Sequence, residues 1–265
     1  MTRTLRALPA LMKMGVARAV AYRAEFFIWM LTSTMPLIML PLWYAVAAEA
    51  PIAGFGQSRF TAYFLVGFVV RQVVGAWASW TINYEVRMGT LSQRLLRPIH
   101  PVWAYATENL ASIPLRGLLA VPVALVVLLF VDTTHVATDP IRWLLVPLAL
   151  LGAWGIGFLV HVSIGAMSLW MHQSIKVVDV WTALFYVFSG YLVPVALFPA
   201  WLRPVPDWLP FQYEHGYPID LITGVLSVEE ALRMLGAQWC WVAIMGMLAA
   251  VLWHRGLERY GAYGG

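Results

Sequence analysis

The chain has 265 residues, of which 61% are hydrophobic and only 11% charged, and its mean hydropathy is +0.74. That composition excludes an ordinary soluble domain and predicts an integral membrane protein. The formal charge of +4 and pI of about 9.3 come from cations gathered between apolar runs, which is poor ground for nucleic-acid binding, and the single Cys240 excludes an intrachain disulfide or a cysteine metal cluster.

In chain order, residues 1–25 carry Arg3, Arg6, Lys13, Arg18 and Arg23, which interrupt any signal-peptide core. Leu5, Leu8, Met12, Val16 and Val20 keep helical spacing, so an amphipathic interfacial helix is expected, either as a functional lever or as a plain basic anchor. Six windows are long enough to cross about 30 Å of hydrocarbon at roughly 20 residues each: 26–48, 60–82, 112–131, 143–166, 177–198 and 237–253. Their apolar runs are continuous and lack the alternation of barrel strands, so the fold class is an all-α membrane bundle of six transmembrane helices.

Arg71 falls near the middle of the second window, where an ionised side chain costs about 2.5–3.5 kcal/mol on insertion scales. It needs a partner. None of the chain's acids falls at that depth in these windows, which leaves backbone carbonyls, a hydrated cavity, a second subunit, an anionic substrate, or snorkelling towards the outer face. Gly67 and Gly75 share one side of this helix, near Ala76 and Ala78. Small residues let membrane helices approach, so this side is a candidate subunit interface, with intrasubunit packing as the other reading.

Residues 84–98 read YEVRMGTLSQRLLRP. On one helix, Tyr84, Met88, Leu91 and Leu95 form an apolar stripe, while Arg87, Thr90, Arg94 and Arg97 share the opposite side and Pro98 stops the run. Such a helix is suited to lie at the membrane surface and offer its polar face to a soluble partner. The stretch from Pro194 to Leu235 carries six prolines together with Trp201, Trp208, Phe211, Tyr213 and Tyr217. No part of it is long enough to span, so it reads as re-entrant or interfacial half-helices that close a cavity from outside, or as an irregular loop with aromatic anchors. Ser227 and Glu230 then form a capping box leading to the last window.

Twelve of the 17 Lys and Arg fall on one side of these windows, four on the other, and Arg71 within. The positive-inside rule therefore puts both termini and residues 84–98 in the cytoplasm. No phosphate loop, HExxH, GxSxG or CxxC occurs, so no nucleotide, metal or nucleophile site is expected. The six His are scattered, and Trp77, Trp80, Trp170 and Tyr191 read as packing or interface anchors.

With these parts in order the chain resembles the type-2 ABC exporter permeases, the six-helix membrane subunits that pair with a separate ATPase. The resemblance covers nearly the whole chain and rests on the amphipathic N-terminal helix, on Glu85 with GTLSQRLLRP at 89–98, on SGYLVPVALFPAWL at 189–202 and on the Pro-rich hairpin before the last helix. It implies a single permease domain, 1–265, with a coupling helix at 84–98 docking into an ATP-binding cassette ATPase subunit through Glu85, Arg87, Thr90, Leu91, Arg94, Leu95 and Arg97. It implies extracellular gate helices within 199–235, with Pro199, Trp201, Pro210, Phe211 and Tyr217 in the gate. It further implies a second permease subunit, the same or related, with Arg71, Gly67 and Gly75 as candidates for the pathway or interface. The chain itself would be non-catalytic and hold no cofactor, ATP and Mg belonging to the partner, in the cytoplasmic membrane of a bacterium and without nucleic acid. A secondary transporter or a membrane-embedded enzyme remain the other classes; the former would show inverted repeats and the latter convergent polar groups at one depth.

Overall fold

The computed structural model describes residues 33–130, 136–171 and 173–260, with pieces at 9–10, 12–17, 20 and 31. Eleven helices run in order along the continuous part: α1 Met35–Val46, α2 Gln57–Val74, α3 Ala78–Arg87, α4 Leu91–Leu95, α5 Pro101–Leu110, α6 Ile113–Phe130, α7 Pro140–Met167, α8 Ile175–Phe188, α9 Pro210–Glu214, α10 Gly216–Ile222 and α11 Val228–Tyr260. There is no strand among the described residues.

Three spans are long and apolar enough to cross a membrane, namely Gln57–Arg87 (α2 and α3 together), Pro140–Met167 and Val228–Tyr260. A fourth is available if Pro101–Leu118 and Ala120–Val126, which meet at 49°, act as one. Pro122 lies in that second piece, where its ring and missing N–H bend a helix. The remaining expected windows are shorter here. The described part of the first is the 12-residue α1, and residues 26–30 lie outside the described set, as do Leu5 and Leu8 of the expected N-terminal stripe. The window 177–198 is helical only to Phe188, making α8 14 residues long, about 21 Å at 1.5 Å per residue. The chain then turns at Ser189–Tyr191, with Gly190 at φ +84 and its carbonyl accepting from Tyr63 Oη at 2.9 Å.

Glycines set how the long helices meet. A methyl on Gly152 would overlap Gln238, Gly155 faces Val242, Gly246 faces Leu159 and Gly256 faces Leu169. These contacts advance together along both chains, so α7 and α11 pack in parallel, as small residues in membrane helices permit. Ser79 against His161 and Ile82 against Gly165 show the same register between α3 and α7. Arg87, Met167 and Tyr260 therefore end at one side of the bundle, and each connection between these parallel spans must return across it.

The Pro-rich stretch does not lie wholly outside. Trp201 and Trp208 are exposed at 77% and 81%, but Phe211, Tyr213, Glu214, His215 and Tyr217 are all buried. Helices α9 and α10 form a hairpin against α2, α7 and α11. Tyr213 O and Ala149 O both accept from Gln238 Nε2, at 2.8 and 2.9 Å, and Tyr217 Oη donates to Ala231 O at 2.9 Å. The hairpin thereby fills the space between the parallel spans.

Candidate functional site

Two clusters of polar side chains within the apolar bundle are candidates for function. The first is an elbow after α3. Gly89 adopts φ +70, a left-handed value that glycine takes without penalty, and it ends the helix. The run 84–98 is therefore two helices and not one. After the turn Arg94 points inward and is 8% exposed. Its Nε and Nη2 donate to Glu85 Oε1 at 3.1 and 2.6 Å, and its Nη1 donates to Glu108 Oε1 at 2.9 Å. Tyr105 Oη donates to Glu85 Oε2 at 2.5 Å, and the Arg94 guanidinium lies 4.3 Å from the Tyr105 ring centre. Burial works against the Arg94 charge, but the carboxylates of Glu108 and Glu85 outweigh it and raise its pKa. Two acids around one fork explain why this arginine turns inward while its neighbours do not.

The expected coupling residues thus divide. Glu85, Leu91 and Arg94 face the bundle, with Leu91 fully buried, and Leu95 packs half-buried on the same apolar cluster. Thr90 Oγ1 reaches Glu85 O at 3.5 Å. Arg87 and Arg97 stay exposed, and beside them Tyr84, Met88 and Leu96 are exposed at 61%, 61% and 87%. The expected arrangement, with arginines on one face and apolar residues on the other, is replaced by a mixed outer surface because Gly89 breaks the helical register.

The second site surrounds Arg71. Its guanidinium sits 5.0 Å from the Phe185 ring centre and 5.7 Å from that of Tyr191, a cation–π arrangement suited to a low-dielectric setting. Glu214, His161 and His215 lie within electrostatic reach of its charge. The expectation that no acid of this chain lies at the depth of Arg71 is corrected: the α9–α10 hairpin carries Glu214 to Gly157, beyond the midpoint of α7. His161 Nδ1 pairs with Ser79 Oγ at 2.7 Å. Glu214 Oε2 and His215 Nδ1 are buried and find no hydrogen-bond partner among the described residues. A methyl on Gly67 would meet Ile219 and His215, and one on Gly75 would strike Arg116 Nη1. The side of α2 considered for a second subunit is at both glycines filled by this chain.

The expected gate residues also separate. Pro199 and Trp201 are exposed, whereas Pro210, Phe211 and Tyr217 are buried in the hairpin, with Phe211 4.5 Å from the ring centre of Trp181. Arg116, one of the twelve cations counted on the basic side, is 5% exposed and belongs to α6. The one signal for Glu214 and His215 was their place between Tyr213 and Tyr217, a polar pair inside an aromatic run.

Residues 25–264 match the family model described as ABC-2 family transporter protein. The chain belongs to the ABC-2 transporter family. It is accordingly a membrane permease component of an ABC-type transporter, in a family whose membrane domains are generally non-catalytic. Comparison with curated proteins gives no match.

Proposed function

We propose that this ABC-2 permease forms the translocation pathway of an ATP-driven exporter as a pair of permease subunits, with ATP and Mg bound by a separate ATPase that docks on the elbow at 84–98. The observation that carries this reading is the elbow's division of labour. Its inner residues, Glu85, Arg94, Tyr105 and Glu108, are held in one ion-pair network, while Tyr84, Met88, Leu96, Arg87 and Arg97 stand outside without burial. A rigid projection with apolar tips and two cations fits an apolar groove rimmed by carboxylates.

The shared end of the parallel spans supports the orientation. Arg87, Arg97, Arg255 and Arg259 collect there, so by the positive-inside rule that end faces the cytoplasm and both termini lie on it. Six spans follow if α1 and α8, each shorter than a full crossing, serve as the first and fifth, in the cytoplasmic membrane of a bacterium. Residues 199–235 act as the outer gate, with the α9–α10 hairpin as its inner part and Arg71 beside the pathway.

Replacing Arg87 and Arg97 together with Glu tests the docking surface, since both side chains are exposed and neither supports the fold. The ATPase that copurifies with the unaltered permease should be lost, with membrane insertion unchanged. Full retention of the ATPase in the double variant would reject the elbow as the docking element.

A further inference from the structure

The long span Gln57–Arg87 is interrupted at Gly75–Trp77, where the backbone leaves the helix: Gly75 is at ψ 133 and Trp77 at φ −147. A helix end exposes unpaired N–H and C=O groups that hydrocarbon cannot satisfy. Here two residues from the neighbouring helices take them. Trp77 N–H donates to Asn109 Oδ1 at 3.1 Å, and Arg116 Nη1 donates to Gly75 O at 2.9 Å. Both are fixed in turn, because Asn109 Nδ2 donates to Tyr105 O at 3.0 Å and Arg116 Nη2 to Ser112 Oγ at 3.1 Å, with the Arg116 guanidinium 5.1 Å from the Trp77 ring centre. The break is therefore held by a built receptor and is not a local defect.

The same short helix holds the elbow. Glu108, which pairs with Arg94, immediately precedes Asn109, which pairs with the break, and Tyr105 bonds Glu85 through its hydroxyl and Asn109 through its carbonyl. We infer that Asn109 and Arg116 are positioning residues that hold a hinge at Gly75–Trp77, and that Glu108 and Tyr105 on α5 tie this hinge to the elbow. A displacement of α4 then reaches the middle of the span through α5 as well as along α3. Arg71, four residues before Gly75, lies on the far side of the hinge from the elbow. This inference rests on the elbow being the ATPase-facing element.

The test places spin labels at Ser58→Cys and Trp80→Cys in a Cys240→Ala permease, on either side of the break and about 33 Å apart at 1.5 Å per residue. The distance distribution is measured on the permease in lipid nanodiscs, and ATP turnover is measured on its complex with the ATPase. Asn109→Ala should shift or broaden the distance, and so should Glu108→Gln, which touches the elbow and not the break. ATP turnover of the complex should fall roughly five- to tenfold in Asn109→Ala, the size expected for one buried polar group left unpaired, and by a smaller factor in Glu108→Gln, with ATPase association unchanged. Asn109→Asp keeps the acceptor for Trp77 N–H and should restore the parent distance. If Asn109→Ala does not assemble, Gly75→Ala decides, since its methyl displaces Arg116 and favours a continuous helix. A parent-like distribution in Glu108→Gln, or in both break variants, overturns the inference. Failure of the ATPase reading would appear separately, as a parent permease that binds no ATPase while its label distances still report on the hinge.

Discussion

Arg71 shows how one side chain is made tolerable inside an apolar bundle. Its charge has aromatic faces of Phe185 and Tyr191 beside it and Glu214 within reach, yet Arg71 itself is only half-buried. It borders the pathway in the proposed arrangement. Arg71→Lys keeps the charge and loses the planar fork, whereas Arg71→Leu removes both and leaves Glu214 without its cation. Transport should fall about tenfold in Arg71→Leu, which removes a charge interaction worth about 1–2 kcal/mol at a protein-like dielectric, and the lysine variant should retain an intermediate rate. Equal and full rates in both, measured as cargo uptake into inverted vesicles, would show that neither charge nor fork contributes. At the elbow, Glu85→Gln should weaken the hold on Arg94 and Tyr105 and lower the thermal midpoint of the purified permease. Conversely, Gln at the exposed Glu229 should leave that midpoint unchanged. Similar shifts for the two would mean that the network does not stabilise the elbow.

The helical elements were legible in the sequence to different degrees, for physical reasons. The apolar windows 143–166 and 237–253 announce α7 and α11, which run to 28 and 33 residues, because hydropathy summed over a window reports burial in lipid directly. The five- and seven-residue helices α9 and α10 leave no such signal among their prolines. Their burial comes from tertiary packing, which is why Glu214, in a stretch too short to span, nevertheless lies inside the bundle. Gly89 was a single glycine within a good amphipathic pattern, and only its positive φ reveals the break. Arg116 counts with the basic-side cations in the sequence because charge counting assumes exposed arginines, whereas it is buried. Among the elements, α5 offers a pH test. His100 caps its first turn, Nδ1 accepting from Val102 N–H at 3.3 Å, and burial together with the nearby His254 lowers its pKa below the ordinary value of about 6.5. With the folded pKa depressed, the unfolded chain takes up the proton first, so this stabilising contribution is complete above about pH 6.5 and is lost as pH falls through the folded value. The thermal midpoint should drop more steeply on acidification in the parent than in His100→Asn, which retains an acceptor. Parallel curves would rule the cap out as the titrating element.

Across the whole molecule, the parallel packing of the three long spans fixes which ends lie together, and the elbow emerges at the end where Tyr260 Oη reaches Gly89 O at 3.4 Å. The last span thereby touches the turn that carries the proposed docking surface. In the proposed arrangement this surface meets an ATP-binding subunit, and Leu96, exposed at 87%, stands at its tip. A photoreactive amino acid at position 96, activated in intact cells, tests the claim most directly, with Val180 on the outer side of α8, 61% exposed, as the comparison. The label at 96 should form an adduct with a nucleotide-binding subunit and that at 180 should not. Adducts at 96 confined to lipid, with the permease shown to be active in the same cells, would contradict the account.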